Sequence, residues 1–418
     1  MSTDKRKQQL LKKKLKHILF ISDNFPPEVN APATRTFEHC REWVKAGVKV
    51  TVITCVPNYP KGIVFEGYKN KLKQVEYIEG IKVVRVWSYI APNRGTVKRI
   101  LDYISFAFSA FWAGLFEKAD VIVATSPQFF TTITGYLLSV FKRKPWVFEL
   151  RDLWPDTIVD VNAIRNKYII GFLERLELFL YKKADLIIPV TDAFKENLVR
   201  RGIDASKIKV VTNGANLELF KPREKDLELL KKLGIGKDKF LIGYIGTHGM
   251  AHGLDFILRS IAKLDNDSLH FLFVGEGSEK EKLLELASKL NLKNVTFHPG
   301  VTKKEVPRFI SILDAALVPL KKTKTFLTVI PSKIFELCSM RKPILLGVDG
   351  QARKVVEEYN AGIAFTPEDE EDFLKKLKIL TGNKEAYERY KKGCEKLAVE
   401  YDRKRKAEYM LELLRQLK

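Results

Sequence analysis

The residues best able to do chemistry fall in short loops that follow apolar runs. Residues 246–253 read GTHGMAHG and stand between such a run and a helix predicted to open near Leu254. A glycine-containing turn of this kind presents backbone N–H groups to an anion, and a helix N-terminus adds the positive end of its dipole. Gly246, Thr247, His248 and His252 are therefore candidate phosphate-binding residues, the two imidazoles adding donors. A tight turn that needs small residues accounts for the same letters. Gly275-Glu276-Gly277 and Pro299-Gly300-Val301 are two further turns, and residues 330–336 (IPSKIFE) a fourth. In the first half the corresponding loops are 23–32 (DNFPPEVNAP), Ser126-Pro127 and 151–156 (RDLWPD). Arg151 and Asp152 could orient a substrate hydroxyl, or else form a structural ion pair or cap a helix near Leu153. Asn30 is either a second such residue or an ordinary turn residue. Cys40, Cys55, Cys338 and Cys394 are far apart in sequence and share no ligand-like spacing with the six histidines, so neither zinc nor a disulfide framework is expected. No cofactor is implied.

These loops matter because of the elements that would carry them. Apolar runs at 17–22, 48–54, 81–87, 121–124, 146–149, 186–190 and 209–212 alternate with helical stretches, including 34–45. A second series runs through 240–246, 270–274, 295–298, 315–318, 343–347 and 362–365. Continuous apolar runs of this length are what strands buried on both faces of a parallel sheet look like. The expectation is α/β: two doubly wound Rossmann-like domains, whose ligands bind at the carboxyl ends of the strands. The polar, proline-containing stretch 220–224 (FKPRE) suits a linker. That gives domains at 1–220 and 221–400, with 401–418 a charged helix that either caps the second domain or crosses back to the first. Segments 101–116 and 129–141 are apolar on nearly every face but shorter than the roughly 20 residues of a membrane span. Each is a buried helix or a monotopic contact, the latter favoured for 101–116 by the aromatics Tyr103, Phe106, Phe108, Phe111, Trp112 and Phe116.

At 418 residues, with 45% hydrophobic and 11% aromatic side chains, the chain is ample for two cores. The formal charge of +22 implies attraction to phosphates on lipid, nucleic acid or a nucleotide-linked substrate. Part of that charge lies in Lys5-Arg6-Lys7 and Lys12-Lys13-Lys14, and Lys98, Arg99, Lys142, Arg143 and Lys144 flank the two apolar segments, where they could meet anionic headgroups. No helix-turn-helix, zinc or RNA-binding motif accompanies the charge, so nucleic acid is not expected as a partner. With a basic, Lys-interrupted start and no disulfide framework, the expectation is a cytoplasmic protein, peripheral on the inner face of the cell membrane.

The segments VTNGAN (211–216), GTHGMAHGLD (246–255), VGEGSEKEKL (274–283), VTFHPGVTKKEVP (295–307) and IPSKIFELCSMRKPIL (330–345) occur in the order seen in family 4 retaining glycosyltransferases. FPPEVNAPATR (25–35) and FELRDLWPD (148–156) resemble first-domain loops of the bacterial subgroup that transfers amino-sugars in O-antigen and capsule synthesis, N-acetyl-fucosamine transferases among them. The resemblance implies the GT-B fold, two Rossmann-like domains facing across a cleft that closes on its substrates. It also implies metal-independent, retaining transfer from a nucleotide sugar, UDP-linked, to a polyprenyl-diphosphate-linked glycan. In that scheme Glu336 accepts hydrogen bonds from the ribose hydroxyls, and the amides of Ser332, Lys333 and Ile334 hold the diphosphate. Lys333 adds a point charge, the main chain of Val301 meets the base and Glu276 lines the cleft. A carboxylate suits a vicinal diol and a helix N-terminus suits an anion. Arg151, Asp152 and Lys333 become the catalytic candidates, with Asn30 on the acceptor side. The family often has a second acidic residue eight positions before Glu336, where this chain has Thr328, which suits a deoxy or acetamido sugar. Its usual phosphate-binding Arg and Lys are replaced by Thr247 and His252, so His252, Lys333 or Arg151 must compensate. A catalytically idle nucleotide-sugar binder and a sugar-nucleotide epimerase share the same plan.

Overall fold

A computed structural model of the protein describes residues 15–59, 61–90, 96–154 and 166–417. The basic N-terminal clusters and Pro155-Asp156 of the third first-half loop lie outside the described residues. The chain divides into two units, residues 1–212 with 404–418, and residues 213–403.

The first unit holds a seven-stranded sheet in the order β3-β4-β2-β1-β5-β6-β7. Its strands are β1 (His17–Ile21), β2 (Lys49–Cys55), β3 (Lys73–Ile78), β4 (Ile81–Val86), β5 (Val121–Thr125), β6 (Trp146–Leu150) and β7 (Leu186–Pro189). All pair in parallel except β3, an antiparallel edge strand on β4. Strand β3 was not foreseen from the sequence because KQVEYI alternates polar and apolar as a half-exposed edge does and forms no continuous apolar run. Residues 209–212 were expected to be a strand. They run beside β7, with the Lys209 and Val211 amides donating to Ile187 O and Pro189 O, but form no strand beyond one isolated bridge.

Among the described residues the helices up to the end of this stretch are α1 (Ala31–Lys45), α2 (Thr96–Leu115), α3 (Phe129–Lys142), α4 (Lys167–Lys183) and α5 (Asp192–Arg200). Helices α2, α3 and α4 each lead to the next strand on the same side of the order, so right-handed crossovers set them side by side on one face of the sheet. Phe111 meets Phe141 with ring centroids 5.4 Å apart, and Tyr136 meets Phe179 at 5.3 Å, joining the three helices. Inward residues such as Phe106, Ala110 and Leu138 are buried.

The second unit carries a six-stranded parallel sheet in the order β10-β9-β8-β11-β12-β13. Its strands are β8 (Phe240–Ile245), β9 (Leu269–Val274), β10 (Val295–His298), β11 (Ala315–Pro319), β12 (Ile344–Gly347) and β13 (Gly362–Ala364). Between and after them lie α6 (Leu227–Lys232), α7 (Leu254–Ile261), α8 (Lys280–Lys289), α9 (Val306–Ile312), α10 (Lys333–Ser339), α11 (Gln351–Glu358), α12 (Glu370–Gly382) and α13 (Lys384–Glu400). The last helix, α14 (Arg403–Gln416), puts Met410, Leu411, Leu413 and Leu414 into the first unit's core, where the Trp43 indole donates to Ala407 O at 2.8 Å.

One expectation changes here. The division falls between Thr212 and Asn213, not near 220, because Phe220 is buried in the second unit's core and Ala215 bridges Asp402. Cys338 and Cys394 both lie in that core as free thiols, and Cys394 Sγ donates to Ala361 O at 3.2 Å.

Candidate functional site

In the second unit the loops at the carboxyl ends of β8, β9 and β10 are tied into one surface. The His248 amide donates to Glu276 O at 2.9 Å, and Glu279 N donates to His248 O at 2.9 Å. Gly275 has φ +157°, and a Cβ built on it would lie 1.8 Å from Gly246 O, so glycine is what allows the two backbones to touch. Gly246 has φ +153°, and a Cβ there would lie 2.5 Å from Lys333 Nζ. The loop is thus open on the side where the lysine arrives from α10.

Lys333 is half-buried, with its Nζ 4.1 Å from the centroid of the Tyr244 ring, while the Tyr244 hydroxyl donates to Thr247 O at 2.6 Å. Burial lowers the Lys333 ammonium to about 8, and Glu336 opposes the shift. His248 is fully buried, and neither ring nitrogen has a hydrogen-bond partner among the described residues. Its ring centroid stands 5.8 Å from that of Tyr244 and 6.1 Å from that of Phe297. Burial first, then Lys280, brings His248 down to about 4; burial first, then Lys333, does the same for His252. Both imidazoles are neutral near pH 7. His252 thus offers hydrogen bonds rather than a charge in the empty protein, and its Nδ1 is without a partner among the described residues.

Segment 330–336 enters α10 through a tight turn. Ile334 N donates to Pro331 O at 3.1 Å and Phe335 N to Ser332 O at 3.2 Å. The Ile334 amide, expected to meet the diphosphate, is thus already bonded, while the Ser332 and Lys333 amides make no main-chain bond among the described residues. Phe335 stacks on Tyr401 at 4.6 Å, which fixes the helix from behind. On its other side Glu336 pairs with Lys303. Thr328 closes a 3-10 turn (Thr325–Thr328) by donating its hydroxyl to Thr325 O at 2.8 Å. Glu276 is largely exposed and accepts from Lys280 Nζ at 2.7 Å and Gly300 N at 3.1 Å, with the Lys280 bond holding its carboxyl below the usual range. Val301 is half-buried beside the cluster around Leu241 and Phe309. The fold therefore gathers Gly246, Thr247, His248, His252 and Lys333 closely, with Glu276 joined to the same loops. Tyr244, Lys280 and Lys303 were missed by the sequence reading. Lys280 stands four residues after Glu276, so spacing alone held a signal for it, while Lys303 finds its partner 33 positions away and had none.

In the first unit Asn30 caps α1, its Oδ1 accepting from Ala33 N at 2.8 Å and its Nδ2 donating to Asn24 Oδ1 at 2.7 Å. The Arg151 and Asp152 amides both donate to Ser126 Oγ, and Arg151 Nη1 donates to Pro32 O at 3.2 Å. The loops after β1, β5 and β6 are thus joined. Nearby are carboxylates that the sequence reading passed over. Burial raises Glu28 and Asp102 to about 7 each, and raises Asp23, which adds to both shifts. Among the described residues no group of three or more His, Cys, Asp and Glu is placed to hold a metal ion.

Residues 30–214 match the family model described as "Glycosyl transferase 4-like domain", and residues 225–397 the one described as "Glycosyl transferases group 1". The chain is 26% identical over 352 residues to the putative colanic acid biosynthesis glycosyl transferase WcaI of Escherichia coli, covering 82% of this chain and 84% of that protein. It is 32% identical over 133 residues, 32% of each chain, to the N-acetylgalactosamine-N,N'-diacetylbacillosaminyl-diphospho-undecaprenol 4-alpha-N-acetylgalactosaminyltransferase of Campylobacter jejuni. The Anabaena protein Alr3699/HepE, solved with UDP and glucose, superposes with a TM-score of 0.73 over 96% of this chain and 100% of that one, at 16% identity. With two α/β Rossmann-like units of this construction and both halves matched, the chain belongs to the group 1 glycosyltransferases of GT-B fold.

Proposed function

We propose that the protein moves a sugar from a UDP-sugar to a lipid-linked glycan in cell-surface polysaccharide synthesis, with retention of configuration and no metal. The observation that carries this reading is Lys333. A half-buried ammonium lies against the glycine backbone of one strand-end loop, beside two free amides and two neutral imidazoles. Transfer requires stabilisation of charge developing on the departing diphosphate, which fixed dipoles and one desolvated cation provide. Glu336 then takes the ribose diol, and Thr328, in place of a carboxylate, favours a deoxy or acetamido sugar. The position of Arg151 and Asp152 between the loops after β1, β5 and β6 supports their role toward the acceptor hydroxyl. The Escherichia coli and Campylobacter jejuni relatives support the polysaccharide and undecaprenol-linked parts of the reading by what their names say of them. Incubation of purified protein with a membrane extract and a panel of UDP-sugars should yield one glycosylated lipid product by mass spectrometry. The absence of both transfer and slow hydrolysis with every donor would refute catalysis.

A lipid-linked acceptor calls for a membrane-facing surface, and the exposed apolar side chains of the layer of α2, α3 and α4 support that role for it. Leu101, Ile104, Phe108, Trp112 and Phe116 follow at helical spacing and all point to solvent. Phe141 joins them from α3, and Tyr168 and Phe172 from α4, a helix the sequence reading did not single out. At roughly 150–250 Å² per aromatic side chain, the six most exposed rings present about 600–1,000 Å². The largest apolar patch on an ordinary monomer is about 300–600 Å². Exposed Lys98, Arg99, Arg143, Lys144, Lys167, Lys182 and Lys183 lie near its ends, which suits an anionic lipid surface and an interfacial contact. Among the described residues no helix is long and apolar enough to cross a membrane.

A further inference from the structure

Glu336 is the residue on which the nucleotide reading turns, yet a second side chain holds it. Lys303 leaves the loop after β10 and donates its Nζ to Glu336 Oε1. The direction of Lys303 is fixed twice. The preceding residue, Thr302, bonds through its amide and hydroxyl to Glu305 Oε2 at 3.0 and 2.7 Å, which pins the loop. The Lys303 ammonium also lies 4.7 Å from the centroid of Phe220, a ring buried in the same core as Phe335. The pair is largely shielded, with side-chain exposures of 27% for Lys303 and 17% for Glu336.

We infer that Lys303 is a positioning residue of the donor site, which holds the Glu336 carboxylate in one orientation for the ribose diol of a nucleoside diphosphate. The inference rests on the reading of Glu336 given above. A carboxylate has about four lone-pair directions on two oxygens. The ammonium takes one at Oε1, leaving Oε2 and the rest for two hydroxyl donors, so lysine and diol do not compete. Without Lys303 the carboxylate would have to be ordered by the nucleotide at the moment of binding, at a cost to affinity. Phe220 acts as the stop against which the lysine rests, since a cation is attracted to the face of an aromatic ring.

The test is calorimetric binding of UDP and 2′-deoxy-UDP to the full chain as wild type, Lys303→Met, Lys303→Arg and Glu336→Gln. The pair GDP and 2′-deoxy-GDP, run in parallel, covers a guanosine preference. Wild type should prefer the ribonucleotide. Lys303→Met should weaken the ribonucleotide on the order of tenfold, the worth of one charge-assisted hydrogen bond, and the deoxynucleotide much less. Lys303→Arg should recover most of the difference. With UDP-sugar as substrate, Lys303→Met should raise KM while kcat changes little. Equal weakening of both nucleotides with a lowered Tm would mean a merely structural lysine and overturn the inference. Tighter ribonucleotide binding by Lys303→Met would also overturn it, making the lysine an occupant of the ribose site. If Glu336→Gln leaves the ribose preference unchanged, or no nucleotide binds, the reading of Glu336 itself fails. If Glu336→Gln abolishes the preference and Lys303→Met does not, only the inference about Lys303 fails. Lys303→Gln serves as the second neutral variant should the methionine form fold poorly.

Discussion

Nucleotide affinity should fall as pH rises through 8, and Lys333 is the reason. In the free protein burial holds its ammonium at about 8 instead of the ordinary 10.5. A diphosphate beside it would favour the charged form, so the complex holds the proton to higher pH than the free site does. At pH 9 only about one tenth of the free protein carries the proton, so UDP should bind about tenfold more weakly than at pH 7, and binding at pH 8 should take up about half a proton. His248 and His252, at about 4, do not titrate in this window, and the terminal phosphate ionises near ~6. Calorimetry between pH 7 and 9 in two buffers of different ionisation heat reads both quantities. Lys333→Met should bind weakly at every pH and take up no proton. The stability of the free fold has the opposite sign. The unfolded chain binds more protons than the native one between about 8 and 10.5, so Lys333, like Lys342 at about 8, makes the empty protein more stable as pH rises through that window. A flat affinity profile in the wild type, or the same slope in Lys333→Met, would refute the placement of Lys333 at the diphosphate.

Three further outcomes follow from the geometry. Replacing both Phe108 and Trp112 by Ser should release the protein from anionic vesicles in a flotation assay and shift stability by less than about 1 kcal/mol, because the residues are 66% and 51% exposed; a large drop in Tm would mean they belong to the core. Gly275→Ala should destabilise the second unit by at least about 1–3 kcal/mol in denaturant unfolding, since it adds positive-φ strain to a clash with the Gly246 carbonyl. Arg35→Met should cost about 3–5 kcal/mol, because it takes from the buried Glu149 carboxylate the guanidinium 2.9 Å away that offsets its desolvation; wild-type stability in that variant would refute the pairing.

Most of the sheet framework was legible because a strand buried on both faces has to be continuously apolar, and 121–124 and 146–149 are. The edge strand β3 was not, since half of KQVEYI faces solvent and carries no such run. The boundary was misplaced because Lys221-Pro222-Arg223 reads as a linker, while the residue that decides its allegiance, Phe220, is a single aromatic whose burial depends on Ile334 and Phe335 more than a hundred positions away. In the site, glycine positions betrayed the loops, but ion pairs between loops did not show. Nothing local to Lys303 says that it meets Glu336. The charge state of His252 was equally out of reach, because burial decides it. The apolar outer face of α4 was hidden by the mixture of Glu174, Arg175 and aromatics on one helix.

The C-terminal helix has a consequence for how the protein is made. The first unit's core includes Met410, Leu411, Leu413 and Leu414, and the Trp43 indole donates to Ala407 O. A ribosome delivers these residues after the whole second unit, so the half of the protein synthesised first completes its core last. Until then the residues of its central strands that face the last helix lack one wall of their core.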